Sequence, residues 1–204
     1  MENTPQLEQD LGRLRKIFAE EGILSVADER CRGFSRYCLK KLLEEGFLTR
    51  VSRGVYSHAG RNASETMNYE EIAKVRADAV LCLTTALRIH GLTDENPHRI
   101  HVAIPQKARF PKGLPAVHLH RFSPKAWSFG IEDRRGGYGP YRVYSVEKTV
   151  VDCFKFRSEV GLDVAIAAFR EAVSRRLVNW DRLWQAMSVC RMTKVMRPYL
   201  ESFS

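Results

Sequence analysis

Apolar residues recur at Leu7, Leu11, Leu14, Ile17 and Phe18. Spacings of three and four predict one amphipathic helix, and Gly22 ends it. Ser25 is placed to cap a short second helix over Val26 to Cys31, which Gly33 breaks. Ser35 caps a third helix, because its hydroxyl can accept an orphan N–H of the first turn. Leu39, Leu42 and Leu43 share one face of it and must pack inward. Turning about 100° per residue sets Tyr37, Lys40, Lys41 and Glu44 on the opposite side, with Arg36 on the flank. Gly46 stops the helix. Phe47 to Val51 and Val55 to Ser57 then read as two strands joined by a tight turn around Ser52, Arg53 and Gly54, with Gly54 free to take a positive φ.

Past this hairpin the pattern loosens. His58 to Asn68 is small and polar and reads as a linker, which divides the chain into a head over 1–60, a linker over 61–68 and a body over 69–204. Tyr69 to Ala79 is helical. Val80 to Leu83 opens a further element, and Thr84 or Thr85 can cap a helix running to Gly91. The period then changes to two. Arg99 to Ile104, ended by Pro105, reads as a strand, as do Val117 to Phe122 and Arg142 to Ser145, the last fed by the glycine-rich turn Arg135 to Pro140. The tail is helical from Val146 to about Arg157, from Leu162 to about Arg176, and from Trp180 to about Phe203 with a bend before Pro198. Trp180, Trp184, Met187, Met192 and Met196 form a stripe that reads as core. The expected fold class is α+β: an N-terminal winged helix-turn-helix domain, then an α+β domain with a small mixed or antiparallel sheet and a helical tail.

Composition narrows the function classes. No apolar run reaches the roughly 18 residues that a membrane span needs. The stretch MENTPQLEQD has neither the basic nor the apolar region of a signal peptide, so a cytoplasmic location is expected. The five cysteines (Cys31, Cys38, Cys82, Cys153, Cys190) are scattered without a CxxC, which predicts reduced, buried thiols. The net charge of +9 favours an anionic partner. Its distribution says more. Residues 30–57 hold Arg30, Arg32, Arg36, Lys40, Lys41, Arg50 and Arg53 against Glu44 and Glu45. A small helical head with a cationic helix and hairpin suits a DNA groove. Ser35, Arg36, Tyr37, Lys40 and Lys41 are the candidates for the major groove and its flanking phosphates. Arg36 is the guanine reader, because a guanidinium pairs bidentately with O6 and N7. Arg50, Ser52 and Arg53 are the candidates for backbone or minor groove. A second basic surface comprises Lys107, Arg109, Lys112, Arg121, Lys125, Arg134 and Arg135. It is a further DNA surface, a site for RNA or an acidic protein, or a solvated face.

Other constellations carry less. His98, His101, His118 and His120 crowd two strands, and His118 and His120 share a face, but no carboxylate or cysteine joins them in sequence. They read as sheet or surface histidines, and no metal or other cofactor is expected. Glu147, Lys148 and Asp152 have the strand–carboxylate–lysine order of metal-dependent nucleases, without an upstream aspartate on a preceding strand. Asp152 four residues after Lys148 reads instead as a helical ion pair, so no catalytic residue is assigned and the protein is not expected to be an enzyme. The loop RRGGYGP lacks the lysine and serine of a phosphate cradle.

Four longer words, GFSRYCLKKLLEEGFLTRVSRGVY, LTTALRIHGLTDENPHRIHVAIP, RVYSVEKTVVDCFKFRSEVGLDVA and MRPYL, are similar to those of AbiEi-type antitoxins, from about Ile23 to Leu200. HGLTDENPH and KTVVDCFKFR are the most distinctive. The resemblance implies a winged-helix domain that binds the operator of its own operon in double-stranded DNA and represses it. It implies a C-terminal domain that supports antitoxin activity against a nucleotidyltransferase-like toxin, without a stable complex. The alternatives are a body that binds or modifies the toxin directly, and a plain transcriptional regulator with no toxin.

Overall fold

The computed structural model describes residues 4–60, 67–95, 98–110 and 117–201. The protein is a mixed α+β chain of two compact units. The first comprises the described residues up to Ala77 with Phe110 and 135–141; the second comprises the rest.

In the first unit α1 (Thr4–Glu21) buries Leu11, Leu14 and Phe18 against Leu24, Cys31, Cys38, Leu39, Leu42 and Leu48. Gly22, at φ +70°, closes the helix by donating its N–H to the Phe18 carbonyl at 2.9 Å. The residues that follow depart from the expected second helix. Ile23–Ser25 is a strand, β1, and only Glu29–Cys31 is helical, as one 3-10 turn capped by Asp28 rather than Ser25. Ile23 and Leu24 are both fully buried, and pairing with a neighbouring strand satisfies their backbone while covering both faces. Helix α2 (Arg36–Glu44) starts at Ser35, whose Oγ accepts the Cys38 N–H at 3.4 Å. It stops at Gly46 (φ +70°), where the N–H groups of Gly46 and Phe47 return to the Leu43 and Leu42 carbonyls. Strands β2 (Leu48–Ser52) and β3 (Val55–His58) form an antiparallel hairpin with a two-residue turn, Arg53–Gly54, and a register shift between Arg50 and Ser52. The sheet order is β1-β3-β2. The expected linker 61–68 lies largely outside the described residues. Helix α3 (Met67–Val75), which the sequence assigns to the body, packs on β1 in the first unit.

The second unit holds a five-stranded sheet in the order β6-β5-β4-β8-β7. Its strands are β4 (Val80–Leu81), β5 (Ile100–Pro105), β6 (Val117–Phe122), β7 (Ile131–Arg135) and β8 (Pro140–Tyr144). The sheet is mixed: β4 is antiparallel to β5 and parallel to β8, and β5 is parallel to β6. Short helices α4 (Leu83–Ile89) and α5 (Pro124–Ser128) accompany it. Neither Thr84 nor Thr85 caps α4: Cys82 is the cap residue, and the Thr85 hydroxyl accepts the His101 N–H at 2.9 Å. Helix α6 (Val146–Lys155) is central and buried continuously from Glu147 to Phe154. Around it lie α7 (Arg157–Val160), α8 (Leu162–Ser174), α9 (Trp180–Val189) and α10 (Thr193–Glu201). The long last helix expected from Trp180 is thus two helices. The break falls at Arg191 (φ +58°), not before Pro198, which α10 contains. Met187, Met192 and Met196 join the core, whereas Trp180 and Trp184 are exposed. All five cysteines are buried and unpaired.

Candidate functional site

Helix α2 and the β2–β3 hairpin position the proposed groove readers. Leu39 and Leu42 turn one side of α2 into the core, which leaves Arg36, Tyr37 and Lys40 exposed and Lys41 half-buried. Arg36, Lys41 and Arg53 make no ion pair with any other described residue. Lys40 lies 3.6 Å from Glu44 on an exposed face, too weak a tie to hold it from another anion. The nearby cations of the 3-10 turn are engaged: Arg30 with Asp28 and Glu21, and Arg32 with Glu29 at 3.5 Å. The Arg30 guanidinium holds the Asp28 carboxyl below its ordinary range. At the hairpin, Arg53 is exposed at the turn, and Arg50 Nε donates to the Ser52 carbonyl at 3.3 Å. Ser52 itself is buried, so its hydroxyl is not presented to solvent.

The second basic set is less coherent. Arg121 donates to the Gln106 and Ala108 carbonyls at 3.1 and 2.6 Å, which makes it a loop brace. Arg134 pairs with Glu132 at 3.0 Å. Arg135 belongs to the first unit, whereas Lys107, Arg109, Arg121, Lys125 and Arg134 belong to the second. Lys112 lies outside the described residues.

Glu147, Lys148 and Asp152 do not form an open metal site. Lys148 and Asp152 are fully buried and ion-paired with each other. Glu147 accepts from the Ser145 hydroxyl at 2.9 Å and from the Asn179 N–H at 3.0 Å. Burial raises the Asp152 carboxyl, against the pull of Lys148.

The histidines gather where the sequence left them apart. The β5–β6 register sets His101 beside His118 and Ala103 beside His120, and the three imidazole rings lie within 5.3 Å of one another, centroid to centroid. His101 Nδ1 is 2.9 Å from His120 Nε2. Glu159, on α7, brings a carboxylate oxygen to 3.2 Å from His118 Nδ1, 3.6 Å from His120 Nε2 and 3.9 Å from His101 Nδ1. Burial first, then the neighbouring histidines, lowers His101 and His120 to about 4, so both are neutral at pH 7 with lone pairs to offer. His98 is exposed and stands outside the group. Sequence reasoning missed Glu159, because nothing in its local stretch distinguishes it. The usable signal was the three histidines on two consecutive alternating strands.

Residues 79–188, more than half the chain, match the model of the AbiEi antitoxin C-terminal domain. The chain belongs to the AbiEi antitoxin family. Family membership gives it an antitoxin role and implies a toxin as functional partner. The matched part of this AbiEi antitoxin includes the histidine–glutamate group and all of α6, whereas α2 and the hairpin lie outside it. The antitoxin is also similar in fold to the crystal structure of the RV2827C protein from Mycobacterium tuberculosis. The TM-score is 0.64, with 17% identity over 88% of this chain and 71% of that one. No curated protein sequence matches it significantly. Among the described residues no helix is long and apolar enough to cross a membrane.

Proposed function

We propose that this AbiEi antitoxin is a sequence-specific DNA-binding repressor of its own toxin–antitoxin operon, with the first unit acting as a winged helix-turn-helix. On this reading the second unit counteracts a nucleotidyltransferase-like toxin without holding it in a stable complex. One observation carries the proposal. A nine-residue helix with its apolar side in the core offers Arg36, Tyr37 and Lys40 outward, and a hairpin with exposed Arg53 at its turn follows at once. The positive end of α2 lies where Ser35 and Arg36 would meet a phosphate, and Arg36 has no competing carboxylate among the described residues. Arg53 serves as the wing contact to the backbone. The buried Ser52 leaves that role to Arg50 and Arg53.

The test is fluorescence anisotropy with the full chain and the DNA upstream of its operon, at one fixed salt concentration. Arg36→Ala combined with Arg53→Ala should weaken binding by about tenfold or more, since the base-edge contact of Arg36 alone contributes about 1–3 kcal/mol. The same variant should still rescue cells from the toxin. Unchanged affinity would remove the helix and hairpin from the interface. A second reading, direct engagement of the toxin by the second unit, draws on the exposed Trp180 and Trp184, each with 46% of its surface accessible. Co-purification of a stable complex would favour that reading.

A further inference from the structure

The histidine–glutamate group does not belong to the DNA-binding proposal and does not depend on it. Its four donor atoms, one each from His101, His118, His120 and Glu159, all lie within 4.8 Å of one another. A tetrahedral site with metal–ligand distances of about 2.0–2.1 Å places neighbouring donors roughly 3.4 Å apart. Four of the six donor separations, at 2.9, 3.2, 3.6 and 3.9 Å, straddle that value, and all six are within 4.8 Å. We propose that His101, His118, His120 and Glu159 are the ligands of a divalent transition-metal site, with Zn²⁺ the best match.

Ligand chemistry chooses the ion. Three imidazole nitrogens and one carboxylate oxygen suit zinc, whereas magnesium and calcium take oxygen ligands. Four protein ligands complete a tetrahedron and leave no coordination position for a reacting water, so the site is structural rather than catalytic. Location fits that role. Strand β6 is an edge of the sheet, and α7 is a four-residue helix with no side-chain cap. A metal held between them would pin both. His118 and Glu159 are partly exposed, which gives an ion a path from solvent, while His120 is buried and fixes the inner side.

The alternative is a metal-free network in which Glu159 accepts hydrogen bonds from neutral imidazoles. The two are separated with the full-length protein, stripped with EDTA and then offered ZnCl2 alone, using a chelating dye as competitor. The expected result is one zinc per chain and a higher melting temperature with zinc present. His118→Ala and Glu159→Gln should each weaken binding at least about tenfold and lose the zinc-dependent rise in melting temperature. His98→Ala should leave both unchanged. Co²⁺ in place of zinc should give the intense visible bands of a tetrahedral site. Circular dichroism checks that the variants fold, and both change partly exposed side chains. The five cysteines are buried in the folded protein and do not compete. Wild type that binds zinc no more tightly than His118→Ala, or gains no thermal stability from it, would leave the metal-free network as the correct account.

Discussion

At the scale of single residues, Lys148 and Asp152 are the most exacting feature of the second unit. Both are fully buried in α6. The Lys148 ammonium also faces the Tyr144 and Phe122 rings, 4.2 and 4.6 Å from their centroids, and the Cys190 thiol donates to Asp152 at 3.6 Å. The i,i+4 spacing made the pair legible in the sequence; its burial was not, because that depends on α4, α8 and α9 closing around α6. Removing one partner leaves the other charge uncompensated, which costs about 3–5 kcal/mol. Lys148→Met should therefore lower the stability of the second unit by that amount in urea unfolding. Lys148→Met combined with Asp152→Leu should be less destabilising than either single change, because the double variant buries no charge at all. A double variant whose loss equals the sum of the two singles would show that the charges do not interact.

At the scale of elements, the helix ends separate what the sequence revealed from what it hid. Ser35, Gly46 and Gly54 are local signals, and α2 and the hairpin emerged where they pointed. Strands β1 and β4, three and two residues long, carry no period of their own and exist only through partners distant in the chain. The end of α9 was hidden for another reason, whereas that of α8 was read to within about two residues. Each closes with the two return hydrogen bonds usually associated with a glycine, yet the left-handed position is an arginine: Arg176 at φ +55° and Arg191 at φ +58°. With no glycine at 191, the pattern read as continuous into α10. Glu159 was illegible in the same way, since it meets the histidines only once β5, β6 and α7 are assembled. The strained arginines are testable. A left-handed side chain costs roughly 1 kcal/mol, part of which glycine recovers despite its freer unfolded chain. Arg176→Gly and Arg191→Gly should each raise stability by about 0.5–1 kcal/mol in thermal or urea unfolding. A loss of stability on either change would mean that the arginine side chain holds the turn by contacts outweighing its backbone strain.

At the scale of the whole molecule, the question is where the excess positive charge acts. Residues 1–60 contain nearly balanced charge, and most of the net +9 comes from later in the chain. Yet the basic stretch of the second unit is partly engaged with itself. Arg121 braces a loop, Arg134 pairs with Glu132, and Arg142 lies 3.3 Å from Asp133. The head is partly engaged too, through Arg15, Arg30 and Arg32, but Arg36, Lys41 and Arg53 make no ion pair with any described residue. Phosphate binding depends on free cations in the right place rather than on net charge, and each neutralised phosphate steepens the salt dependence by about 0.9 in log–log slope. Reversing Lys125, Arg134 and Arg135 together to glutamate should therefore change the slope of operator binding by less than about 1. The Arg36→Ala and Arg53→Ala changes together should reduce it by roughly 1, because Arg53 contacts phosphate whereas Arg36 reads a base edge. The measurement is affinity for the same operator DNA across a salt series, comparing wild type with both variants. A slope that falls by 2 or more on the triple reversal would instead make this second basic set part of the DNA footprint. The excess charge there would then serve the operator, and the head alone would not account for binding.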